Sequence, residues 1–292
     1  MRFLLPVLFA LAAALSNAFA TVLQRRAALS VPSSQGFRAG LMLDLLRRPV
    51  WVGGILAVVV AGVCQALALA TGPLTLVQPL FVLELPFTLI VASVLTRQRL
   101  PGLGWLAVAG VVAGLGVAFV AASPDGNRSH VEIDRWLPVL AGCAAVVAAL
   151  ALSALKRPVG KARAALLGTA AAVSYALTAG LMKTSMHILG DFGLVGFLTA
   201  WQTYAFGAVG VGAVFLLSNA MQAGPLVASQ PALTLGDATV SMILGVIVYE
   251  EHIRTGWWLL PELAGIALIV AGVFALARIP PAEDAPPAAA EA

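Results

Sequence analysis

Nine apolar runs, at residues 3–23, 51–70, 74–95, 103–121, 136–155, 164–187, 195–217, 226–249 and 257–277, occupy most of the chain and carry few charges. Each is close to the ~20 residues a helix needs to cross a hydrocarbon core of ~30 Å. Only 10% of the 292 residues are charged and 61% are hydrophobic, too little charge for the surface of a soluble enzyme and too much hydrophobicity for a disordered chain. In lipid every backbone N–H and C=O must pair within its own segment, so the runs are predicted to be helices. The expected fold class is therefore all-α: a polytopic membrane protein of about nine transmembrane helices, with the lipid bilayer as its solvent.

The basic residues report orientation. Arg25, Arg26, Arg38, Arg47, Arg48, Arg97, Arg99, Lys156, Arg157, Lys161, Arg163 and Arg278 fall on one side if every run crosses; Arg2, Arg128, Arg135 and Arg254 fall on the other. The richer side is cytoplasmic. This puts the N-terminus outside and the C-terminus in the cytoplasm of a cell membrane. The basic residues form no contiguous domain, so nucleic acid is not an expected partner. The first run, preceded by Arg2, also resembles a cleavable leader, but Arg25 and Arg26 directly after it favour its retention as a helix. Residues 37–48 read as an interfacial amphipathic segment and residues 278–292 as a disordered cytoplasmic tail.

An internal repeat organises the rest. Gly72-Pro73-Leu74 and Gln78-Pro79 recur as Gly224-Pro225-Leu226 and Gln230-Pro231, and the stretch around Ser16 matches that around Ser174. The first span thus pairs with the sixth, the third with the eighth, and the fourth with the ninth. Two four-helix repeats, 1–121 and 164–277, are joined by a linking helix and its loops at 122–163. With five spans between equivalents, the second repeat crosses in the opposite sense. Such inverted repeats are typical of secondary transporters, whose sites lie near the bilayer midplane on helices interrupted by Gly or Pro. Pro79, Pro86 and Pro231 are expected helix breaks, since proline cannot donate to the carbonyl four residues earlier.

The 4+1+4 layout, the PLTLVQPL element, the KRPVGK loop and the repeated GPL-to-QP element resemble the drug/metabolite transporter (EamA-like) superfamily, and within it the NIPA-like magnesium transporters. That resemblance implies a permease, with Mg²⁺ as a candidate substrate. The sequence departs from the branch at Gln78 and Gln230, where the branch has Thr, and at Gln98, where an acid is expected after the third span. The corresponding acid after the eighth, Glu251, is present.

Ionisable groups at membrane depth are costly, about 2.5–3.5 kcal/mol on insertion scales, and are functional candidates. Glu84 and Asp237 sit near mid-span, five and six residues after the repeated prolines, where their carboxyls can bind a cation, tentatively as metal ligands, or carry a proton. Gln230, Thr234, Asp237 and Ser241 share one helical face. Asn17, Gln65, Gln78, Thr88, Gln202 and Tyr204 complete the candidate lining. Lys183 reads as a snorkelling residue, while Glu250-Glu251-His252 and Glu262 read as a solvated outer end. Cys64 and Cys143 lie within spans and imply neither disulfide nor metal. HExxH, GxSxG and Walker A motifs are absent from the sequence, so the reading is a non-enzyme without cofactors. A proton-coupled exporter of a small metabolite or drug and a non-transporting scaffold remain alternatives, and homodimerisation stays open.

Overall fold

The computed structural model describes residues 3–29, 49–97, 100–123, 131–224, 226–254 and 256–279. The interfacial segment expected at 37–48, Gln98 and the tail beyond residue 279 lie outside the described residues. Among those residues nine helices are long and apolar enough to cross a membrane, and no strand occurs. They are α1 (Leu4–Leu29), α2 (Pro49–Thr71), α3 (Leu74–Thr96), α4 (Gly102–Ala122), α5 (Ile133–Leu155), α6 (Lys161–Thr199), α7 (Trp201–Ala223), α8 (Leu226–Tyr249) and α9 (Leu259–Ala277). Large apolar side chains cover the outside: Leu56, Val59, Val211 and Phe215 are each more than half exposed or nearly so. A surface this apolar is stable only against lipid. The protein is an all-α, multi-pass membrane protein.

Helices pack in matched pairs. The first two, α1 and α2, lie against each other as do α6 and α7; α1 packs on α3 as α6 packs on α8; and α4 packs on α9. The linking helix α5 touches chiefly α6. Glycine permits the closest of these approaches. At the α4–α9 crossing a Cβ on Gly265 would lie 2.6 Å from the Gly114 carbonyl oxygen, and one on Gly114 2.6 Å from that of Gly265. Without a hydrophobic force between helices in lipid, such backbone-to-backbone packing supplies the association.

Two helices depart from the sequence reading. The sixth runs past residue 187 to a kink at Gly193, whose non-helical φ of 65° and ψ of −165° interrupt the winding, and a short helical stretch follows as far as Thr199. The apolar residues 195–199 lie in that short stretch beyond the kink, and α7 begins at Trp201 after the extended Ala200. The third helix is broken as expected, into Leu74–Leu80, a 3₁₀ turn at Phe81–Leu83 and Glu84–Thr96, between Pro79 and Pro86. The expected break at Pro231 does not occur: α8 is helical from Leu226 to Tyr249. A single proline removes one hydrogen bond from the ladder, which can continue around it. The halves thus differ just where their sequences repeat.

The α4–α9 contact makes a direct prediction. Gly265→Ala destabilises the protein by about 1–3 kcal/mol, as overpacking does, whereas Gly116→Ala, whose Cβ meets nothing within 4 Å, leaves it unchanged. Thermal unfolding of the two variants in detergent, followed by size-exclusion fluorescence, checks the contrast.

Candidate substrate cavity

Six of the polar candidates meet in one place. A cavity of about 370 Å³ is lined by Asn17 of α1, Gln65 of α2, Gln78 and Glu84 of α3, and Thr234 and Asp237 of α8. Tyr175 of α6 joins them, with Val58, Phe81 and Leu217 among the apolar walls. Glu84 is the first residue after the 3₁₀ turn, so the break in α3 sets its direction. Asn17 hydrogen-bonds its side chain, and Glu84 and Asp237 are close enough to sense each other's charge. The Ser241 hydroxyl donates to Asp237 Oδ1 at 3.3 Å. Tyr175 lines the same cavity as both acids. Its position could have been read from the repeat, since Ser16-Asn17 aligns with Ser174-Tyr175.

The cavity's electrostatics are one-sided. Among the described residues its lining contains two carboxyls and no Lys or Arg. Gln78 is 2% exposed, and its Nε2 has no hydrogen-bond partner. A buried donor without a partner costs about 1–3 kcal/mol and favours a ligand or water that satisfies it. No group of three or more His, Cys, Asp or Glu side chains is assembled among the described residues, so the chain presents two acids plus neutral oxygens.

Four candidates lie elsewhere. Gln230 is half-buried outside the lining. The Thr88 hydroxyl donates to the Glu84 carbonyl at 2.7 Å, bonding back to its own helix as threonine in lipid commonly does. Gln202 borders a separate cavity of about 490 Å³ with Thr184, Phe192 and Glu132. Tyr204 is 65% exposed and donates to the Leu198 carbonyl, so it anchors the α6–α7 turn. The seventh helix begins at Trp201 rather than near residue 195, so Gln202 and Tyr204 stand in its first turn rather than deep in the span.

The largest correction concerns Lys183 and Glu251. Neither is solvated: both side chains are 0% exposed and form an ion pair of 2.6 Å. Glu250 adopts a left-handed φ of 52°, turning the chain so that the Glu251 N–H reaches the Gly245 carbonyl and its side chain points inward. There Glu251 Oε1 accepts from the Leu74 N–H at 2.7 Å and Oε2 from the Thr75 N–H at 2.8 Å. Pro73, which precedes α3, supplies no side-chain cap, so an acid from the far end of the sequence takes that part. The Lys183 ammonium also lies 4.5 Å from the centre of the Tyr249 ring. The Tyr249 hydroxyl hydrogen-bonds Thr184 and the Gly180 carbonyl, and Trp136 packs edge-on against Tyr249 and Trp201. This cluster ties α3, α6 and α8 together at one end of the bundle.

Comparison with models of known families and with solved structures gives no match. An uncharacterized protein of Corynebacterium glutamicum is 31% identical over 279 residues, spanning 94% of this chain and 95% of that protein. The chain belongs to that protein's family. Coverage is so nearly complete on both sides that the likeness is to the membrane-spanning body as a whole.

The buried pair yields a graded expectation. Lys183→Met leaves a carboxylate buried without its counter-charge and costs about 3–5 kcal/mol. Glu251→Ala costs more, because the Leu74 and Thr75 amides lose their acceptor as well. Thermal unfolding of both variants ranks them, and an equal loss would mean that the amide contacts contribute nothing.

Proposed function

We propose that the protein is a secondary transporter of the drug/metabolite type that moves a small cation by alternating access. The observation that supports this most is the joint presentation of Glu84 and Asp237 to one polar cavity without a basic side chain in its lining among the described residues. Structure alone does not require two costly acids there, and a lining of one sign attracts a solute of the other.

Within that reading the substrate is a divalent cation, Mg²⁺. Magnesium sheds water reluctantly and is held through one or two carboxylates with several waters retained. Glu84 and Asp237 supply the carboxylates, and the side-chain oxygens of Asn17, Gln65, Gln78 and Thr234 supply neutral acceptors for those waters. A volume of about 370 Å³ leaves room for a partly hydrated ion. The resemblance to NIPA-like transporters points the same way. Tyr175 and Phe81 beside the acids favour a second reading, a small organic solute exchanged for protons.

Transport needs the two halves to rock about this cavity. The matched packing of α1–α2 with α6–α7 supports residues 1–121 and 164–277 as those halves, with 122–163 as the link. With the N-terminus outside, the Lys183–Glu251 cluster lies on the outer side and holds α3 to α6 and α8. Opening toward the outside then separates Glu251 from the start of α3.

Reconstituted into proteoliposomes with an internal magnesium indicator, the parent is expected to carry Mg²⁺ flux. Glu84→Gln and Asp237→Asn each lower it at least tenfold while keeping a normal size-exclusion profile, and Tyr204→Phe leaves it unchanged. Flux that follows an imposed pH gradient and ignores Mg²⁺ selects the organic solute instead. Unaltered transport in both acid variants would remove the cavity as the site.

A further inference from the structure

A second, larger hollow lies on the other side of the α3–α8 pair. It has a volume of about 530 Å³, and α3, α4, α8 and α9 form its walls. Ile243, Val246 and Ile247 of α8 line it and are about half exposed, so it opens sideways into the surrounding lipid. It runs along α8 from Ile247 down to Leu235, twelve residues earlier. At 1.5 Å per residue that is roughly 18 Å, somewhat more than the ~15 Å of one leaflet's hydrocarbon. Those dimensions fit one extended acyl chain.

One end of this groove is polar. Glu262, in the first turn of α9, is 6% exposed, and its Oε2 has no hydrogen-bond partner. Thr75, the second residue of α3, is 2% exposed, and its hydroxyl is likewise unpartnered. Both line the groove. They lie at the same end of the bundle, since Glu251 joins the start of α3 to the end of α8, and the Arg254 N–H bonds the carbonyl of Ala122 at the end of α4. Just before Glu262, Trp257 is 87% exposed and Trp258 carries Arg254 over its ring, as residues at a membrane–water boundary do. The two unpartnered oxygens therefore sit about one turn beneath the headgroup level.

We propose that this groove is a site for a membrane lipid with a protonated primary-amine headgroup. Its ammonium donates to Glu262 Oε2 and Thr75 Oγ1, and one acyl chain follows the α8 wall toward Leu235. A carboxylate calls for a cation, and two acceptors call for N–H donors, which a primary ammonium has and a quaternary one lacks. An anionic headgroup would face Glu262 with like charge. The site is independent of the transport reading, since neither Glu84 nor Asp237 lines it.

Native mass spectrometry of the purified full chain, equilibrated with equal amounts of phosphatidylethanolamine, phosphatidylcholine and phosphatidylglycerol of identical chains, tests this. The parent is expected to retain phosphatidylethanolamine several-fold over the other two. Glu262→Gln brings the three to parity, and Thr75→Val, which removes only an unpartnered hydroxyl, narrows the preference and serves if the first variant does not fold. Glu84→Gln and Asp237→Asn keep the full preference, which separates this site from the transport cavity. Equal retention of phosphatidylcholine, preference for phosphatidylglycerol, or a preference undiminished in both groove variants would overturn the proposal.

Discussion

The Glu251 carboxylate on the Leu74 and Thr75 amides is the contact on which the arrangement of helices depends. A helix that begins inside a membrane has amides with no water to bond, and the Gly72-Pro73 turn makes α3 begin with its first residues fully buried. An acid placed against those amides solves one problem and creates another, because a buried negative charge needs its own partner. Lys183 supplies it from α6. Three helices far apart in sequence are thereby held by one chain of mutual need, and Tyr249, Thr184 and Trp136 fill the space around it. The polar cavity lies further along the same helices, framed by walls whose relative positions this cluster sets.

Much of the fold was legible because lipid imposes simple rules. Length and hydropathy located every span, and the acids Glu84 and Asp237 stood out because the bilayer makes such residues rare. The Gln-Pro repeat pairs α3 with α8 in sequence, and α3 packs on α1 as α8 packs on α6. Boundaries are harder to read around Gly190-Asp191-Phe192-Gly193, where one charge stands between two apolar stretches: winding runs past residue 187 to the kink at Gly193, and the next long helix begins only at Trp201, which puts Gln202 and Tyr204 at a helix end.

Direction within a polar side chain was not legible at all. Lys183 and Glu251 look from sequence like residues at a helix end reaching for water, because snorkelling and burial start from the same position along the chain. What decides between them is the left-handed Glu250, which sends Glu251 inward toward amides 176 to 177 positions away in sequence. Local periodicity carries no trace of that meeting. Similarly, Gln230-Pro231 repeats Gln78-Pro79 in letters, yet α8 stays continuous where α3 is broken, since α3 has a further proline at position 86 and α8 has none there.

The short 3₁₀ turn in α3 has a geometric result of its own. Three residues wound at three per turn, instead of 3.6, rotate everything beyond them by about 60° relative to an unbroken helix. That rotation swings Glu84 toward the sector already occupied by Gln78 and Phe81, so an acid that regular winding would aim elsewhere shares their outlook. Tightening or relaxing Phe81–Leu83 is thus a small screw that steers a carboxyl without moving the helix axis.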